Sequence, residues 1–262
     1  LSIVAIHRGQ DIDLLMSLPS AQQVIVLRRE NDLPFRPRLS IPIAAPGVLA
    51  AADITGDGVA EVLVARFNDG TVSVLRTTDQ GDWLVDHTLS GPAGLAALAV
   101  SPSELFLANT RDDQVWRTSL AGQTAQVVPV GPWPSWLTLG DLDGQGGPEL
   151  VGAANLADAI FWYSTDEANP NVHTVTVGAG PFAVELGDLD QDGDLDAVAT
   201  NKFENSVSVL DNDGTGNLCE SDRLLTGDGP APLALADFDG DGVLDFAVVD
   251  GFSNDVVLYL AR

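Results

Sequence analysis

Short apolar runs alternate with polar turns rich in Asp, Gly and Asn along the whole chain. No segment of useful length carries the 3.6-residue period of an amphipathic helix, so strands are expected throughout. The pattern also repeats. GDLDQDGDLDAVAT at 187–200 and ADFDGDGVLDFAVVD at 236–250 are the clearest pair, and ADITGDGVAEVLVA at 52–65 and GDLDGQGGPELVGA at 140–153 are further copies. Their first acidic residues, Asp53, Asp141, Asp188 and Asp237, stand 88, 47 and 49 residues apart. Because 88 is twice 44, another copy is expected near position 97, and LAALAVSPSELFLAN at 95–109 keeps the apolar runs around a shortened, acid-poor loop. VAIHRGQDIDLLMS at 4–17 is a sixth copy, with Ala5 where the others carry the first acid.

Other features keep step with this frame. Pro46, Pro92, Pro134, Pro181 and Pro230 precede the inner apolar stretch, and a further strand follows each loop and turn: VIVLR, TVSVL, QVWRT, AIFWY, SVSVL and VVLYL. Six units of about 46 residues, each a short antiparallel sheet, cannot bury both faces alone and must stack on one another. The expected fold is all-β, a β-propeller of four-stranded antiparallel blades, with repeats at approximately 1–44, 45–90, 91–130, 131–178, 179–227 and 228–262 in one domain. Six frames are readable. A seventh blade partly outside this sequence is the alternative, since the last unit ends after its third strand.

The loops carry the chemistry. In 237–245, acids occupy positions 1, 3, 5 and 9 as Asp237, Asp239, Asp241 and Asp245, with Gly242 at position 6 for the bend and the Val243 carbonyl at position 7. Calcium takes six to eight hard oxygens, and alternate side chains on a tight turn converge on one ion. Loop 188–196 is equally complete, with Asp188, Asp190, Asp192, Asp194 and Asp196. Loop 53–61 offers Asp53, Thr55, Asp57, the Val59 carbonyl and Glu61, with one hydroxyl replacing a carboxylate. Loop 141–149 offers Asp141, Asp143, Gln145, the Gly147 carbonyl and Glu149, with less charge and a turn stiffened by Pro148. Three to four Ca²⁺ ions are therefore expected. The first unit keeps only Asp13, and the third has lost about three loop residues, so neither should bind. The loops are shorter than the 12-residue EF-hand loop and are flanked by apolar strand-like runs, not helices, which argues against an EF-hand.

Charge sharpens the picture. The 262 residues include 38 acidic and 12 basic ones, a net charge of −26. Nucleic-acid readers carry the opposite footprint, and an anionic membrane surface would repel this chain. No apolar run reaches the length of a membrane span, so direct membrane insertion is not expected. The single cysteine, Cys219, allows no internal disulfide. The chain begins at Leu1 rather than Met, as a processed, trimmed or partly observed chain does, so the lack of a signal peptide excludes nothing.

On these motifs, above all DLDQDGDLD and DFDGDGVLD, the chain resembles the FG-GAP or VCBS-type repeat family, whose relatives include the integrin α-subunit propeller. The resemblance runs through all six frames. It implies calcium in the hairpin joining the first two strands of a blade, and an extracellular, cell-surface or periplasmic setting. The Phe-Gly and Gly-Ala-Pro signature is largely absent. GPWP, GAGP and GDGP stand in its place, nearer the VCBS style, which disfavours an integrin-like role.

No catalytic residue is expected. His7, His87 and His173 fall at non-equivalent places, and no nucleophile, zinc-protease or phosphate-loop motif occurs. Trp133 and Trp136 in GPWPSW are candidates for a ligand rim, against the alternative that the tryptophans fill gaps between blades. The leading expectation is a calcium-stabilised scaffold for a protein partner or extracellular assembly. A carbohydrate-binding lectin is the alternative, and an enzyme with its site in the central funnel the third reading.

Overall fold

Alternating side chains give each strand two faces, and turns of Asp, Gly and Asn let the chain double back at once, so each repeat closes as an antiparallel meander. The computed structural model describes residues 2–31, 33–78, 80–120 and 125–261. The first sheet contains β1 (Ile3–Arg8), β2 (Asp11–Leu18), β3 (Gln23–Arg29) and β4 (Arg36–Pro42). The second contains β5 (Leu49–Ala52), β6 (Glu61–Arg66), β7 (Thr71–Thr77) and β8 (Trp83–Ser90), and the third β9 (Leu95–Val100), β10 (Glu104–Asn109), β11 (Gln114–Ser119) and β12 (Gln126–Pro129). The fourth contains β13 (Pro134–Gly140), β14 (Glu149–Ala154), β15 (Ala159–Ser164) and β16 (His173–Thr176), and the fifth β17 (Pro181–Gly187), β18 (Asp196–Asn201), β19 (Ser206–Asn212) and β20 (Leu218–Leu225). The sixth has three strands, β21 (Pro230–Ala236), β22 (Asp245–Asp250) and β23 (Asp255–Tyr259). Two single 3₁₀ turns, Pro19–Ala21 and Asn155–Ala157, are the helical segments among the described residues.

The chain divides into two compact units, Leu1–Arg111 with Val115–Val127, and Asp112–Gln114 with Val128–Arg262. Within each, the core lies between neighbouring sheets. In the first unit, Val62 and Val64 of β6 pack with Leu15 and Val24 of the first sheet, while Leu63 and Ala65 face Leu98 and Leu105 of the third. In the second, Ala197 and Ala199 of β18 join Val151 and Ile160 of the fourth sheet, and Val198 joins Leu233 and Val248 of the sixth. A two-residue period with both faces covered explains why the second strand of a middle blade reads as an unbroken apolar run. The fold is an all-β, six-bladed β-propeller.

This meander sorts the turns by end. The hairpins after the first and third strands of a blade lie at one end. The turn after the second strand, and the crossing to the next blade, lie at the other.

Candidate metal centres

The four acidic loops join the first two strands of their blades: 53–61 between β5 and β6, 141–149 between β13 and β14, 188–196 between β17 and β18, and 237–245 between β21 and β22. Position 9 is the first residue of the second strand, and ladder pairing buries it: Glu61, Glu149, Asp196 and Asp245 are all at most 4% exposed. One oxygen of each accepts the N–H of position 2, from Ile54 at 3.0 Å, Leu142 at 2.9 Å, Leu189 at 3.0 Å and Phe238 at 2.8 Å. That bond closes the loop. In three loops the first Asp accepts the N–H of a position-4 glycine, Gly56, Gly144 or Gly240, each held at positive φ.

In three loops the carboxylates converge. Asp141, Asp143 and Glu149, then Asp188, Asp190 and Asp196, then Asp237, Asp239 and Asp245 each bring ligand oxygens within 4.8 Å of one another. The first two loops also bury carboxylate oxygens that accept no hydrogen bond: Glu149 Oε1, Asp188 Oδ1 and Asp194 Oδ1. A buried acceptor without a partner is costly, and several in an acidic pocket suit a hard cation. Burial, aided by the charges of Asp143 and Asp141, pushes the Glu149 carboxyl above its ordinary range. Burial does the same to Asp196, only partly offset by the N–H groups of Asn212 and Leu189. These residues therefore fit calcium, whose charge would hold them ionised.

Loop 53–61 differs. Among the described residues no third carboxylate converges with Asp53 and Glu61, and both Glu61 oxygens are engaged, Oε2 by the Ile54 N–H at 3.0 Å and Oε1 by the Thr55 hydroxyl at 3.3 Å. Thr55 satisfies the site from within.

In the two blades without a full loop, the acid near the start of the second strand meets arginine. Asp13, fully buried, receives Arg28 through Nε at 2.7 Å and Nη2 at 2.8 Å, and the Trp83 Nε1–H at 2.8 Å. Burial alone would raise its pKa, but these bonds and the charges of Arg28 and Arg8 hold it below the usual range. Glu104, the first residue of β10 as Glu149 is of β14, receives a bidentate Arg117 at 2.8 and 2.9 Å. Each of these two blades thus keeps an acid near the start of its second strand and neutralises it with a guanidinium.

Asn212 links two loops. Its Nδ2 donates to the Leu142 carbonyl at 2.7 Å and the Leu195 carbonyl at 3.0 Å, while its own N–H donates to Asp196 Oδ1 at 2.9 Å. Beside loop 141–149 lies a cleft of about 170 Å³, lined by Asp143, Glu149, Ser164, Asn171, His173 and Asn217 among others. The two rim tryptophans part company. Trp133 is 50% exposed at a positive φ of 58°, whereas Trp136 is partly buried and packs on two core clusters. Cys219 is exposed. His173 stacks on Trp162, and His87 contacts Asp86.

Asp166 joins loop 141–149 from outside the repeat frame. The position-5 carboxylates Asp57, Asp192 and Asp241 accept the N–H of position 7, from Val59, Asp194 and Val243 at 2.9, 3.2 and 2.9 Å. In loop 141–149, position 5 is Gln145, and the Gly147 N–H donates instead to Asp166 Oδ2 at 2.8 Å. Asp166 follows β15, outside any loop spacing, so the repeat frame could not indicate it.

Four of the six stacked meanders of this propeller carry an acidic first hairpin. Residues 141–199 and 188–248 match the FG-GAP-like repeat, so this stretch carries FG-GAP-like repeats. No curated protein matches the sequence. Among solved structures, a functionally unknown protein from Desulfotomaculum acetoxidans is similar at 12% identity and TM-score 0.68, covering 94% of this chain and 78% of that one. Virginiamycin B lyase from Staphylococcus aureus is similar at 13% identity and TM-score 0.60, covering 100% and 84%. A chain of a nidogen/laminin complex is similar at 14% identity and TM-score 0.57, covering 86% and 79%. At such identities the likeness concerns the fold, and it includes an enzyme as well as a member of a protein complex. No helix among the described residues is long and apolar enough to cross a membrane.

Proposed function

We propose that this chain is a calcium-binding β-propeller that serves outside the cytoplasm as a protein-interaction or assembly module, not as an enzyme. The observation that carries the calcium reading is the convergence of three carboxylate groups, two of them in loops that bury unpartnered acid oxygens. Sites of this kind in extracellular modules bind calcium at about 10⁻⁴–10⁻³ M, which suits an external setting. The interaction reading rests on the opposite end of the second unit. There Trp133, Leu156, Phe203 and Phe252, at the blade crossings and second-strand turns, are 50, 60, 64 and 69% exposed. Four large apolar side chains left to solvent at the same end of successive blades support a contact surface there. Calorimetric titration of the chelated protein with CaCl₂ tests the metal: three ions are expected, and a flat titration ends the proposal.

The cleft beside loop 141–149 favours a second reading, a glycan site, because polar side chains there surround two candidate calcium ligands. Glycan-array binding that requires calcium would support it. Loss of that binding in Trp133→Ala would place the sugar on the tryptophan rim instead.

A further inference from the structure

We propose that Asp166 supplies, from outside the loop, the fourth carboxylate of the 141–149 calcium site. The inference rests on the calcium reading above and deepens it. Three loops place a carboxylate at position 5 and hold it on the position-7 N–H. Loop 141–149 has Gln145 there, leaving Asp141, Asp143 and Glu149 as its own acids. Asp166 Oδ2 takes the vacant role, 2.8 Å from the Gly147 nitrogen.

The local sequence is adapted to admit it. Position 7 is Gly147 where the other loops carry Val59, Asp194 and Val243. A Cβ on Gly147 would stand 2.6 Å from Asp166 Oδ1, and one on Gly146 would collide with Oδ2. The approach of Asp166 thus requires both glycines. The neighbouring Thr165 is anchored, its hydroxyl donating to the Pro148 carbonyl at 2.7 Å, which pins the start of the β15–β16 turn to the loop. Glu149, 4% exposed, has a buried Oε1 with no hydrogen-bond partner, so the site calls for a positive ligand independently of Asp166. Four carboxylates restore the charge that the position-5 acid provides in loop 237–245, and calcium affinity follows ligand charge.

The test is calcium titration of the full chain as wild type, Asp166→Asn, Glu149→Gln, and Asp166→Asn combined with Gln145→Asp, each checked for a folded circular-dichroism spectrum. Asp166→Asn should weaken one ion by about 10- to 100-fold without changing the number bound at saturation. Adding Gln145→Asp should recover most of that loss, a rescue that a merely structural Asp166 would not permit. If Glu149→Gln abolishes one ion while Asp166→Asn titrates like wild type, the Asp166 assignment is overturned and the calcium reading stands. If Asp166→Asn weakens an ion but Gln145→Asp recovers nothing, the assignment is likewise overturned. A wild type that binds no calcium overturns both.

Discussion

At the scale of single residues, the recurring feature is a carboxylate near the start of the second strand, buried as Asp13, Glu61, Glu149, Asp196 and Asp245 and partly exposed as Glu104. Asp13 and Glu104 have arginines. Because Asp13 is fully buried, Arg28→Met should destabilise the protein by about 2–3 kcal/mol in urea unfolding, the cost of losing its two charged hydrogen bonds while Arg8 and the Trp83 N–H remain. Arg117→Met, at a more open pair, should cost less. Glu185 on β17 is a different case, since burial dominates its environment and no cation among the described residues offsets it. Burial pushes its carboxyl to about 7, against a smaller opposing effect of a hydrogen bond from Trp136. The folded state therefore keeps this proton to higher pH than the unfolded chain. Stability should fall as pH rises from about 4.5 to about 7 and level off above, a contribution of at most about 3 kcal/mol. With calcium saturating throughout, Glu185→Gln should flatten that slope. An unchanged slope in the variant would assign the effect to other groups.

At the scale of the loop and its hairpin, calcium should act as a ligand of the native state alone. Chelation with EDTA should lower Tm by on the order of 10 °C if three sites are each held about tenfold above their dissociation constants. Loop 53–61 offers a gain-of-function test. Thr55 stands at position 3, where Asp143, Asp190 and Asp239 complete the other clusters. Thr55→Asp should therefore add or tighten one calcium ion in a titration, at some cost in stability without metal. Asn212 joins loops 141–149 and 188–196, so Asn212→Ala should cost about 1–3 kcal/mol and weaken calcium binding at both loops together.

At the scale of the whole molecule, charge dominates. The four loops hold 15 of the 38 acidic residues, so most of the acidity lies outside them, and three ions would change the net charge only from −26 to −26 + 6 = −20. Self-repulsion of that size destabilises a compact state and is screened by salt. Raising NaCl should therefore increase the Tm of the chelated protein more than that of the calcium-loaded one. Equal responses would mean that the loop carboxylates contribute little to the repulsion. The surplus charge also makes a basic partner the better fit to this surface.

Much of this was legible in the chain itself. The frame through Asp53, Asp141, Asp188 and Asp237 reports the blades because a repeat that buries both faces must keep the same apolar period and turn at each copy. The loop acids are legible for the same reason, since nine contiguous residues close one turn. What depends on contacts distant in sequence is not legible. Arg28 beside Asp13, Arg117 beside Glu104 and Asp166 beside Gly147 are brought in by the next hairpin, at no fixed spacing from the loop. Nor could spacing show that Trp136 packs into the core while Trp133 faces solvent. Local pattern determined the blades and the candidate ligands, while tertiary pairing decided which acids meet an arginine, because charge compensation acts through space and not along the chain.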